Sequence, residues 1–140
     1  MTTADAGVTT APRPPGSVLA HMQFALAGVY ATAIGVALAR AASFSGHLYL
    51  PHQGDEATGT ADLWPGYWAP VSLMLIVVIG VAPVVATMTA LVAVARLVTA
   101  RARTGYAHQR SLLVSTVFAV LVVMSWMTPF VETLHAWLLD

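Results

Sequence analysis

The chain has 140 residues, of which 58% are hydrophobic and 9% charged, with no cysteine and a formal net charge of zero; its mean hydropathy is +0.76. A soluble globular domain carries roughly 25% charged and about 45–50% apolar residues, so this composition is that of a membrane protein and excludes disorder beyond short tails. The missing cysteines exclude a disulfide-stapled domain, a cysteine zinc ribbon and thiol chemistry, and the balanced charge gives no basic face for nucleic acid, which is not expected as a partner.

Residues 1–17 are rich in Thr, Ala and Pro, and the cluster Pro12, Pro14 and Pro15 cannot enter a helix interior, so a disordered tail is expected there. The first charge-free run follows, from Val18 to Ala39, closed by Arg40. Ala37, Ala39 and Ala41 offer the small-residue pattern of a signal-peptide cleavage site. The apolar stretch nevertheless exceeds the roughly 7–15 residues of a signal h-region, and Arg13 alone supplies a basic flank, so an uncleaved helix is expected.

Two further runs without charge, Leu63 to Ala95 and Ser111 to Val131, are each long enough to cross a hydrocarbon core of about 30 Å at about 1.5 Å per residue. The fold expected is therefore all-α and polytopic, a transmembrane domain over residues 18–140 with three helices near 18–43, 68–96 and 110–137. Pro51, Gly54, Gly59, Pro65 and Gly66 mark a loop at about 44–67, and a second, basic loop is expected at about 97–110. Pro83 removes one backbone hydrogen bond from the second helix, so a kink is expected unless Thr87, Thr89 or a neighbouring helix compensates. Pro129 is expected to bend the exit of the third.

Arginine sets the orientation. Four of the six arginines, Arg96, Arg101, Arg103 and Arg110, surround the second connection, whereas Asp55, Glu56 and Asp62 lie in the first and Glu132 and Asp140 at the C-terminus. Basic loops stay on the cytoplasmic side, which predicts an N-in, C-out protein with the long acidic loop outside. Trp64, Tyr67, Trp68, Trp126 and Trp137 then fall near the outer interface, where aromatic anchors concentrate. Arginine without lysine, together with abundant Ala and Val, is the usage of a high-GC bacterial genome and points to a bacterial cytoplasmic membrane.

Lipid supplies no hydrophobic drive for helices to pair, so small residues that let backbones approach are the expected contacts. Rows at i, i+4 spacing occur on each helix: Ala27, Ala31, Gly35 and Ala39 on the first, flanked by Gly28 and Thr32; Ala82, Ala86 and Ala90 on the second; Ser111, Ser115 and Ala119 on the third.

Polar candidates concentrate at the expected outer side. His47 and His52 share the first loop with Asp55, Glu56 and Asp62, and Glu132 and His135 stand at i, i+3 on one helical face, a spacing that can present a carboxylate and an imidazole to one metal ion. Against a metal site on His47, His52, Glu132 and His135 stands the preference of acids and histidines for water over lipid. His21 with Gln23 offers a haem or quinone contact at the other side, where the second histidine is His108. Arg40 is expected to snorkel to the headgroups or pair with an acid of the loop. No acid or base lies at mid-span, which removes a proton or ion relay.

No motif demands a cofactor. The reading expected from the sequence is a small, non-catalytic accessory or structural subunit of a larger membrane complex, partnered by the bilayer and by other membrane proteins or copies of itself. Alternatives are a metal- or haem-associated redox subunit using the outer His/Asp/Glu cluster, and a homo-oligomeric pore or exporter lined by Thr and Ser.

Overall fold

The computed structural model describes residues 15–48, 50–51, 64–100 and 106–139. These form four helices: α1 (Pro15–Ser45), α2 (Ala69–Ala100), α3 (Tyr106–Trp126) and α4 (Pro129–Leu139). α1, α2 and α3 are each long and apolar enough to cross a membrane. Most of the expected disordered tail lies outside the described residues, but Pro15 to Ser17 already belong to α1. Helix also continues into the expected basic loop, so Arg96 and Arg110 stand on α2 and α3, while Arg101 and Arg103 lie outside the described residues.

The helix ends have local causes. α1 stops at Gly46, whose φ of +73° is open to a residue without Cβ and whose N–H bonds back to Ala42 O at 3.0 Å. Before α2, the Trp68 carbonyl accepts from Val71 and Ser72 and so starts the helix. α3 tightens at its end, with Met127 N–H on Met124 O and Thr128 N–H on Ser125 O. Pro129 then opens α4 at the position where its missing N–H costs nothing, and the Thr128 carbonyl accepts from Val131 and Glu132.

A single third helix over 110–137 is therefore not what forms. The chain breaks at Met127 and Thr128, and α4 does not continue the axis of α3. In a straight helix His135 would lie about 13 Å beyond Trp126. Instead the two rings are 5.3 Å apart, edge to face, so the chain bends sharply and brings α4 back against α2 and α3. α1 and α2 are about 46 and 48 Å long and α3 only about 32 Å, so α4 fills the space beside α2 that α3 leaves open.

Packing fixes the relative directions. Gln23 meets Ser115 and Tyr30 meets Ser125, so α1 and α3 run parallel, with Phe24 against Phe118 between those two contacts. The start of α1 clusters with the end of α2 through Ala20, Ala93 and Leu112, so α2 runs antiparallel to both. The main core gathers Ala33, Ala37 and Ala41 of α1, Leu75, Ile79, Ala82 and Ala86 of α2, Ala119 and Val122 of α3, and Val131, Leu134, Trp137 and Leu138 of α4. Alanine at the crossings lets the backbones approach where bulkier side chains would part them. Large apolar residues such as Val84, Met88 and Leu91 of α2 and Val117, Leu121 and Met124 of α3 are exposed on the outside, a surface suited to hydrocarbon rather than water.

The small-residue rows divide. Ala82, Ala86, Ser115 and Ala119 are buried and Ala90 is half-buried, all within the bundle. On α1 the row points elsewhere: Ala27 is half-buried, and Ala31, Gly35, Ala39, Gly28 and Thr32 are exposed. The inner face of α1 is Ala20, Gln23, Tyr30, Ala33, Ala37 and Ala41, because Gln23 and Tyr30 find their hydroxyl partners on α3 and fix the rotation of the helix. Pro83 is buried within an unbroken α2. Thr87 donates to the Pro83 carbonyl at 2.8 Å, not to that of Ile79, which the proline leaves without its usual donor.

Candidate functional site

Polar and aromatic groups gather at the end of the bundle where α1 finishes, α2 begins and α4 packs. Arg40, near the end of α1, holds its guanidinium 5.3 Å from the Trp68 ring centroid and 6.0 Å from that of Trp64, tying α1 to the segment before α2 through cation–π contacts. Trp64 in turn packs on Trp137 of α4 at 6.2 Å. Trp137 is the largest fully buried side chain, and its indole N–H has no hydrogen-bond partner among the described residues.

Beside this aromatic group, Trp126, Met127, Glu132, His135, Ala136 and Leu139 line a cleft of about 430 Å³. The bend after α3 creates it by setting the first turns of α4 against the end of α3. His135 is half-buried, held between Trp126 and α2, where a Cβ on Gly80 would stand 3.5 Å from its Nε2. Glu132 is the one carboxylate among the described residues and is exposed on the same face of α4.

Of the four residues expected to form a metal site, Glu132 and His135 share this cleft. His47 does not join them: it is exposed beyond α1, its Nδ1 3.0 Å from Ser45 O. His52 lies outside the described residues, as do Asp55, Glu56 and Asp62. Among the described residues no three His, Cys, Asp or Glu side chains come together as metal ligands. Sequence reasoning missed the parts Trp126, Gly80 and Ala136 play here, since Pro129 signals a bend without giving its direction.

At the opposite end, His21 is exposed, with Nδ1 against the Ser17 carbonyl. Gln23 is 1% exposed and receives the Ser115 hydroxyl on Oε1 at 2.7 Å, while its Nε2 is buried with no partner among the described residues. The pair expected to offer a haem or quinone contact is thus divided between the surface and a helix crossing. A second opening lies higher on the α1–α3 seam, a shallow groove of about 320 Å³ lined by Ala27, Ala31, Ile34, Phe118 and Leu121, with the Tyr30–Ser125 hydroxyl pair at its floor.

No protein-family model, curated protein or solved structure matches this chain.

Proposed function

We propose that this chain is a small accessory or structural subunit of a larger membrane complex, without catalysis of its own, seated N-in and C-out in a bacterial cytoplasmic membrane. The observation that carries the reading is the placement of the α1 row. Gly28, Ala31, Thr32, Gly35 and Ala39 lie outside a bundle whose own crossings use other alanines. A narrow face left outside suits close approach by a further helix more than it suits the trio.

Internal chemistry offers little competition. The Thr87, Thr89 and Thr99 hydroxyls are turned back onto carbonyls of α2, as Thr32 is on α1, which gives no support to a polar pore lining. A metal- or haem-associated subunit, the second reading, draws on Glu132 and His135 sharing one cleft; stoichiometric metal or haem in the purified chain would favour it.

The experiment is a particle-mass measurement in mild detergent with cross-linking in native membranes. A complex heavier than the 14.7 kDa protomer, or a cross-linked membrane partner, is expected. A lone protomer with no recovered partner overturns the reading.

A further inference from the structure

Glu132 combines two properties. It is the one carboxylate among the described residues, and its side chain has no ion pair or hydrogen bond there. Next to it, the His135 ring is fixed by Trp126 and by the α2 backbone at Gly80, yet neither ring nitrogen has a hydrogen-bond partner among the described residues. The remaining walls are an indole, a thioether and two aliphatic side chains, Trp126, Met127, Ala136 and Leu139.

The geometry points to a binding site for an organic ammonium group in the α3–α4 cleft. Glu132 supplies the opposite charge, the Trp126 indole in the wall attracts a cation through its ring quadrupole, and Met127 and Leu139 receive the substituents on nitrogen. An anion is disfavoured by the carboxylate. A metal ion is less well served, because two donors from one helix leave most of its coordination to water. The same chemistry reaches the cleft from two sources, the ethanolamine headgroup of a lipid or a free amphiphilic amine, and the site stands whether or not the chain has a protein partner.

The test uses the full chain in phosphatidylglycerol nanodiscs, titrated with benzyltrimethylammonium chloride and followed by tryptophan fluorescence. A saturable change is expected, absent in Trp126→Phe and shifted to about tenfold or more higher concentration in Glu132→Gln. Ala136→Phe, which fills the cleft and keeps the carboxylate, is expected to abolish it, with unchanged circular dichroism showing that the fold remains. Repeating the titration with phosphatidylethanolamine included separates the sources: weaker apparent binding marks the lipid headgroup as occupant, and unchanged binding marks a free amine. A response that does not saturate, or that Glu132→Gln and Ala136→Phe leave unaltered, overturns the proposal. Saturable zinc binding with no ammonium response overturns it as well.

Discussion

Gln23 shows how a single residue can orient a helix while leaving its own chemistry incomplete. The Ser115 hydroxyl has one proton and stands 2.7 Å from Gln23 Oε1 and 3.0 Å from Leu112 O, so it serves one of them at a time. Turning the amide over lets Nε2 donate to Ser115 while Ser115 donates to Leu112. The carboxamide oxygen then lacks a donor, so either arrangement leaves part of a buried amide unsatisfied. Hydrogen bonds between membrane helices contribute on average about 0.6 kcal/mol and at most about 1.7, comparable with the cost of the unmade bond. Ser115→Ala is therefore expected to destabilise the bundle by about 1 kcal/mol, whereas Gln23→Met, similar in volume and free of the amide, is neutral or stabilising. Reversible unfolding in detergent checks the pair, and a greater loss for Gln23→Met than for Ser115→Ala contradicts this account.

Each helix divides its residues between the bundle and the outside, and equal substitutions on the two sides should differ. Ala86 of α2 is fully buried at a crossing, so Ala86→Leu forces the backbones apart and is expected to lower thermal stability in detergent by about 1–3 kcal/mol. Gly35 has open space where a Cβ would be, so Gly35→Leu should leave the isolated bundle as stable as the parent while reducing recovery of the larger complex in native membranes. Equal destabilisation of the isolated chain by both changes would refute that division. α4 is the most amphipathic of the four helices: Val131, Leu134, Trp137 and Leu138 are buried, and Glu132 is exposed. Leu134 is fully enclosed, and Leu134→Ala is expected to cost about 2–5 kcal/mol. Gly80→Leu acts on α4 from the other side, since its side chain occupies the place of the imidazole. Displacement of His135 from Trp126 would appear as loss of ring-current shifts on the imidazole resonances.

For the whole molecule the bundle has two chemically different ends, with Arg96 and Arg110 at one and Arg40, the tryptophans, Glu132 and His135 at the other. The proposed orientation puts the first end in the cytoplasm. Single cysteines at Thr58 and Thr104, exposed to an impermeant thiol reagent on intact cells, are expected to label at 58 and not at 104, and the reverse pattern would invert the topology. This absence of native cysteine makes the assay free of background.

The charge-free runs located α2 and most of α3, and the first placed a helix near 18–43, which α1 overruns at both ends, to Pro15 and to Ser45. Length and lack of charge suffice for that, because a helix satisfies its backbone hydrogen bonds within one continuous segment and its existence is a local property. Pro129 likewise marked where the third helix would be disturbed. The inward face of α1 was not legible, and the row Ala27, Ala31, Gly35 was no guide to it. In a helix apolar on every side the sequence carries no amphipathic period to separate inside from outside. The choice came from contacts with partners remote in sequence, Gln23 with Ser115 and Tyr30 with Ser125. The return of α4 depended equally on tertiary structure. A proline states that a helix stops, whereas the burial of Leu134 and Trp137 against α2, and the seat that Gly80 leaves for His135, decide where the chain goes next.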